Sequence, residues 1–267
     1  KRYRLARRLR SAAYDWAIVL PNSWKSALVP WWAGIPNRTG YRGEMRYGLL
    51  NDLRLLDKQA LGKTVERFVA LGRLPHPQRV EHYPLPKLLL QSQQLQQVCA
   101  KFAIEPGDKL LALSPGAEYG PAKRWPERHF AKVAEKALSS GWRVLLLGSV
   151  KDTAVTRRIS ELAGEKGCID LAGRTTLVEV VALLQRSTAA VSNDSGLMHI
   201  AAAVDTRLIA IYGSSDPAFT PPLNPCAKIL YRRLACSPCF QRQCPLGHLD
   251  CLAGIEPQQV ISSLGLQ

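Results

Sequence analysis

Beyond residue 104, short apolar runs alternate with longer stretches whose apolar residues return every three or four positions. Leu110–Ser114, Trp142–Leu147, Ala189–Ser192 and Leu208–Tyr212 are apolar at nearly every position, as expected of strands covered on both faces. Between them, Pro126–Ser139, Ala154–Ala163, Leu177–Gln185 and Leu197–Val204 carry the helical period, and a further short segment lies at Ile169–Leu171. Strands and helices in alternation predict a parallel sheet sandwiched between helices. We therefore expect a Rossmann-like domain starting near Ile104.

The first third follows a looser version of the same rhythm. Lys1 to Leu9 reads as the end of a basic helix, Ala17 to Leu20 as a short buried strand closed by Pro21-Asn22-Ser23, and Ser23 through Trp32 as a second helix. A chain that starts inside an α/β pattern reads as N-terminally truncated. Arg73 to Lys87 holds four prolines and two histidines. That composition supports neither a long helix nor a central strand and predicts a connector. A helix carrying Leu95 and Val98 follows, and another is expected over Ile255–Leu266. The expected organisation is an incomplete N-terminal domain with its linker over residues 1–90 and a nucleotide-binding domain over 91–267.

Charge narrows the partners. The chain has 36 Lys and Arg against 21 Asp and Glu, a formal +15, and a field of that sign draws polyanions. Ordinary solubilising charge, an anionic membrane surface or substrate, and nucleic acid are all compatible with it. Basic residues are spread along the chain apart from the first ten, which argues against a nucleic-acid arm, as does the lack of interleaved aromatics. No run approaches the roughly 18 apolar residues of a membrane span, and no apolar signal segment follows the basic start. The chain reads as cytoplasmic.

In open parallel sheets, ligands bind beyond the C-terminal strand ends, so three strand-to-helix loops stand out. The first, Ser114 to Pro126, contains Gly116 and Gly120, which let backbone approach a ligand closely, and the adjacent cations Lys123 and Arg124. The second, Ser192 to His199, offers Asp194 or Ser195 as helix cap and the amides of Ser195, Gly196 and Leu197 as an anion seat. The third, Gly148 to Asp152, places Asp152 to accept from a nucleotide hydroxyl. No Asp-x-Asp pair is available for Mg²⁺, so Lys123 and the helix dipole would have to neutralise a leaving diphosphate. Against each loop stands a bland alternative of solvated charges or a plain capped helix.

Seven cysteines are too few for a disulfide framework, but Cys236, Cys239, Cys244 and Cys251 crowd one stretch. A structural zinc or iron site, reduced thiols packing a loop, and disulfides all remain open, with His248 able to replace one thiol in the first.

The same loops carry a family resemblance. Ser114-Pro115-Gly116-Ala117-Glu118 with Ala122-Lys123-Arg124-Trp125-Pro126, the run Ser192 to His199, and Tyr212-Gly213-Ser214-Ser215-Asp216-Pro217 with Phe219-Thr220-Pro221-Pro222 resemble heptosyltransferase motifs. Leu20 to Ala27 and Arg38 to Asp52 resemble the type II members, and the likeness covers nearly the whole chain.

The resemblance implies a GT-B fold of two Rossmann-like parallel-sheet domains facing a cleft, the first one incomplete here. It further implies inverting, metal-independent transfer of heptose from ADP-heptose to the first heptose of a heptosyl-Kdo2-lipid A acceptor, at the cytoplasmic surface of the inner membrane. No cofactor is required for such transfer. Carried over by motif, Lys123 would stabilise the diphosphate. Donor contacts would come from Ser114, Gly116, Arg124, Asp152, Thr175, Asp194, Ser195, Gly196, Met198 and His199, and acceptor contacts from Asn22, Lys25, Arg42 and Arg46. The family's first strand, glycine loop and base aspartate would precede residue 1. The expectation is therefore a chain that binds donor but transfers poorly. An ADP-sugar-binding module without catalysis and a heptosyltransferase with another acceptor are the alternatives.

Overall fold

The computed structural model describes residues 1–73, 79–164 and 167–266, which divide into two compact units. The first comprises Lys1–Pro84 with Ala218–Thr220, the second Leu85–Pro217 with Pro221–Gln267. Of the expected connector, residues 79–87 carry no regular element, and 74–78 lie outside the described residues.

The first unit is a three-stranded parallel sheet, β1 (Trp16–Ile18), β2 (Asn37–Tyr41) and β3 (Asp52–Arg54), in that order, with helices α1 (Arg2–Arg10), α2 (Trp24–Trp32) and α3 (Thr64–Leu71). The hydrophobic pattern does not reveal β2, which reads Asn-Arg-Thr-Gly-Tyr. Its polar residues are used inside the sheet: the Thr39 hydroxyl accepts from Trp16 Nε1 at 2.7 Å and donates to Asp52 at 2.8 Å. Helix α1 packs on α2, with Tyr3 edge-on to Trp32 and the Arg10 guanidinium donating to the Trp32 carbonyl. Arg54 pairs with Asp52 and donates to the carbonyls of Ala70, Leu71 and Arg73, closing the C-terminal end of α3.

Arg46 departs from expectation. It was expected to face an acceptor, yet it is only 1% exposed. Its guanidinium donates to the Pro21 carbonyl at 2.6 Å, to Asn22 Oδ1 and to the Tyr41 carbonyl, tying the β1–α2 loop to the end of β2. Burial pushes its pKa below the usual guanidinium value, with Glu44 opposing. Asn22, Lys25 and Arg42 are exposed.

The second unit carries a six-stranded, all-parallel sheet in the order β6-β5-β4-β7-β8-β9. The strands are β4 (Leu110–Ser114), β5 (Arg143–Leu146), β6 (Cys168–Asp170), β7 (Ala189–Asn193), β8 (Leu208–Tyr212) and β9 (Lys228–Tyr231). The helices are α4 (Ser92–Lys101), α5 (Glu127–Ser139), α6 (Thr153–Ala163), α7 (Leu177–Arg186), α8 (Gly196–Ala203), α9 (Asp250–Ala253) and α10 (Pro257–Leu264). Successive strand side chains point to opposite faces. Leu111 and Leu113 accordingly join Phe130 of α5, Ile159 of α6 and Val260 of α10, whereas Leu110 and Ala112 join Val98 of α4, Leu183 of α7 and Ala201 of α8. Burial on both faces is why these strands are apolar at almost every position. Edge strand β9 is half exposed and alternates too weakly to stand out in the sequence. Among the described residues no helix is long and apolar enough to cross a membrane.

Two stability predictions follow from these contacts. Arg46→Ala removes three hydrogen bonds made by one buried guanidinium and leaves the buried Tyr41 carbonyl without that donor, and should cost about 3 kcal/mol in urea unfolding; an unchanged midpoint would contradict the bracing role. Glu179 accepts from Lys101 Nζ at 2.6 Å and from the Thr176 amide at 2.7 Å, and its carboxyl is held at about 2, chiefly by Lys101. A depressed carboxylate stabilises the fold above its unfolded pKa and loses that contribution as pH falls. Glu179→Gln should therefore melt lower than the wild type at neutral pH, with the gap closing between the ordinary carboxylate range and pH 2. A gap independent of pH would argue against it.

Candidate donor site

The strand order of the second unit reverses direction between β4 and β7. That topological switch point is where ligands lodge beyond the strand ends, and the loops leaving β4 and β7 meet there.

The loop after β4 is shaped by close approaches. A Cβ on Gly116 would lie 2.6 Å from Asp152 Cγ, so only glycine lets the chain pass that carboxylate. Gly120 has φ +153°, and a Cβ there would sit 2.5 Å from the Arg242 carbonyl oxygen. Beyond it, Pro121–Lys123 forms a 3₁₀ turn, the Ala122 amide donates to that same carbonyl at 3.1 Å, and the Tyr119 hydroxyl donates to the Phe240 carbonyl at 2.6 Å.

Both ends of the loop are held by one side chain. Asn193, the fully buried last residue of β7, donates from Nδ2 to the Pro115 carbonyl at 2.7 Å and accepts the Trp125 amide on Oδ1 at 3.1 Å. The Trp125 indole N–H in turn donates to the Ile255 carbonyl at 2.8 Å.

The loop after β7 feeds α8 directly, with Ser195 as N-cap, and among the described residues no side chain caps its first turn. Ser195, Gly196 and Leu197 line a cavity of about 360 Å³ together with Gly116, Asp152 and Thr175. Its further walls include the apolar residues Leu147, Leu177, Val180 and Ile200. Beside Ser195, Lys123 Nζ donates to Asp194 Oδ2, and the Ser215 hydroxyl donates to the same oxygen. Lys123 also stands 5.1 Å from the centre of the Tyr119 ring. His199 is exposed next to this pair. Surrounding protein pushes its imidazole below the ordinary value, with Asp194 opposing and Lys123 reinforcing the shift.

The structure thus gathers Gly116, Asp152, Thr175, Ser195 and Gly196 around one cavity, with Lys123, Asp194 and His199 adjoining. Asp152 is already engaged, since its Oδ2 accepts from the Ser149 amide and hydroxyl, while Oδ1 lies 3.8 Å from Arg124. Arg124 Nε is buried without a partner among the described residues. Two expected donor contacts lie elsewhere: Ser114 is buried at the end of β4, and Met198 is wholly buried, its sulfur accepting from the Tyr212 hydroxyl at 3.4 Å. Met198 belongs to the core cluster that also holds Tyr212, on the inward face of α8. Asn193 and Ser215 were given no role by the sequence. Both lie in motifs that carry the resemblance, but a polar residue at or just past a strand end does not distinguish a brace from a solvated loop.

The cysteines Cys236, Cys239, Cys244 and Cys251, with His248, line a small cavity of about 10 Å³. All seven cysteines are free thiols, and among the described residues no three His, Cys, Asp or Glu side chains are grouped to hold a metal ion. Backbone amides, that of Leu249 foremost, hold the Cys244 thiol below its ordinary value, and burial pushes Cys251 up.

Comparison with known proteins places this geometry in a family. The family model of glycosyltransferase family 9 (heptosyltransferase) matches residues 2–250. Lipopolysaccharide heptosyltransferase 2 of Salmonella typhimurium is 43% identical across 99% of this chain and 78% of its own length. Its Escherichia coli counterpart is 42% identical with the same coverage. The solved structure of E. coli ADP-heptose LPS heptosyltransferase II superposes with a TM-score of 0.87 at 41% identity, covering 99% of this chain and 80% of that one. A family 9 glycosyltransferase from Veillonella parvula, at 20% identity and TM-score 0.81, shares the fold. The chain belongs to glycosyltransferase family 9, the heptosyltransferases.

Proposed function

We propose that this glycosyltransferase moves a heptose from ADP-heptose to a heptose of the lipopolysaccharide inner core, with inversion and without a bound metal ion. The observation that carries this reading is the Lys123–Asp194 pair set beside the uncapped N-terminus of α8. Breaking the bond between sugar and diphosphate leaves negative charge on the departing ADP, and a positive group must meet it there. A charge-assisted hydrogen bond is worth about 1.5–3 kcal/mol, against roughly 0.3–1 kcal/mol for a helix N-terminus. Lys123 is therefore the larger contributor and the α8 amides the smaller.

In this reading the Ser195 and Gly196 amides hold the distal phosphate, and Asp194 and His199 flank the transferred sugar. The adenosine lies along the apolar wall of Leu147, Leu177 and Val180, with Asp152 and Thr175 at its ribose. Exposed Asn22, Lys25 and Arg42 meet the anionic acceptor. The formal +15 and the five arginines of α1 suit work at the anionic cytoplasmic face of a membrane.

Calorimetric titration of ADP and of ADP-heptose tests the assignment. Lys123→Ala should weaken both by about tenfold or more, the lower end of a lost charge-assisted bond. Wild-type affinity in that variant would remove Lys123 from the donor site.

A further inference from the structure

Asp194 Oδ2 receives two donors, the Lys123 ammonium and the Ser215 hydroxyl. All three groups are sheltered: Asp194 is 6% and Ser215 5% exposed, and the Lys123 side chain 18%. Ser215 lies three residues past the end of β8, so the strand next to β7 also contributes to this cluster. Like Lys123 and Asp194 it adjoins the donor cavity without lining it, and its hydroxyl is spent on Asp194 Oδ2.

The arrangement poses an electrostatic problem that Ser215 answers. A buried carboxylate needs compensating donors, and Asp194 shares its cation with whatever anion arrives. A nucleoside diphosphate entering beside Ser195 competes with Asp194 for the ammonium. As Lys123 turns toward phosphate, Asp194 Oδ2 keeps a donor only if the Ser215 hydroxyl remains on it. We propose that Ser215 is a positioning residue for Lys123: by holding Asp194 Oδ2 it aims the ammonium and lowers the cost of sharing it with the diphosphate. This rests on the reading of Lys123 as the diphosphate contact.

The test is a double-mutant cycle on ADP affinity with the full chain, using Ser215→Ala, Lys123→Ala and the double variant. Ser215→Cys is a second probe that keeps the side chain's bulk and offers only a weak donor. Urea unfolding of each variant, run alongside, identifies any that does not fold, in which case Ser215→Cys stands in for Ser215→Ala. Loss of one hydrogen bond to a charged group predicts that Ser215→Ala or Ser215→Cys weakens ADP binding roughly tenfold or more, up to the loss in Lys123→Ala. The double variant should bind no more weakly than Lys123→Ala alone, because Ser215 acts only through that cation.

A merely structural role would lower affinity in the Lys123→Ala background too. Multiplying losses, or wild-type affinity in the Ser215 variants while Lys123→Ala is impaired, would overturn the proposal. Wild-type affinity in Lys123→Ala would instead overturn the donor-site reading on which it rests.

Discussion

The donor site depends on one buried amide. Asn193 closes β7 and grips the preceding loop at both ends, at the Pro115 carbonyl and the Trp125 amide. Everything between those grips takes its place from them, including the glycines that skirt Asp152 and Arg242 and the turn that presents Lys123. A carboxamide alone among short side chains offers a donor and an acceptor set apart in one plane. Aspartate here would set an acceptor against the Pro115 carbonyl, and serine is too short to span both. The amide is wholly buried, so its two bonds face no competition from water.

Around this brace the site keeps charges close to neutral in the absence of ligand. Lys123 is satisfied by Asp194, Asp194 also by Ser215, and Asp152 by the Ser149 amide and hydroxyl. A cation left alone beside a helix N-terminus would be costly to hold in a sheltered place. Pairing it with a carboxylate keeps it there, and in the proposed reading an incoming diphosphate would meet a cation that one stronger anion can draw away. The α8 amides add a smaller, fixed attraction that needs no rearrangement. On that proposal, one adjustable charge and one rigid dipole would share the work of receiving phosphate.

Much of the second unit could be read from the chain because its strands are buried on both faces and its helices on one, which leaves strong, distinct periodicities. β4 and β8 were placed residue for residue, and α5 to α8 within two residues at each end. The first unit yielded less. Its β2 is polar because Thr39 and Arg38 bond within and beside the sheet, and no hydrophobic count registers a strand built that way. The site loops were found through their glycines, cations and cap residues, which carry local signals. Which of those residues face the cavity was not legible: Met198 sits one position from exposed His199, Ser114 closes a strand buried along its whole length, and only packing decides the side. Arg46 failed for a similar reason, since a buried arginine that ties loops together has the same letter as one that waits for an anion.

The bracing of the Lys123 loop has a bearing on how the protein is made. Tyr119 is anchored to Phe240, 121 residues later, and Trp125 to Ile255, 130 residues later. During synthesis strands β4 to β8 can pair as they leave the ribosome, and Asn193 and Asp194 can then hold the loop that carries Lys123, but its bonds to the Phe240 and Ile255 carbonyls must wait until those later residues emerge. At synthesis rates of roughly 5–20 residues per second, the sheet waits several seconds with its ligand loop unfinished. The nascent chain is thus a scaffold first, and the last two ties of its Lys123 loop are made only after the strands it leaves have been paired.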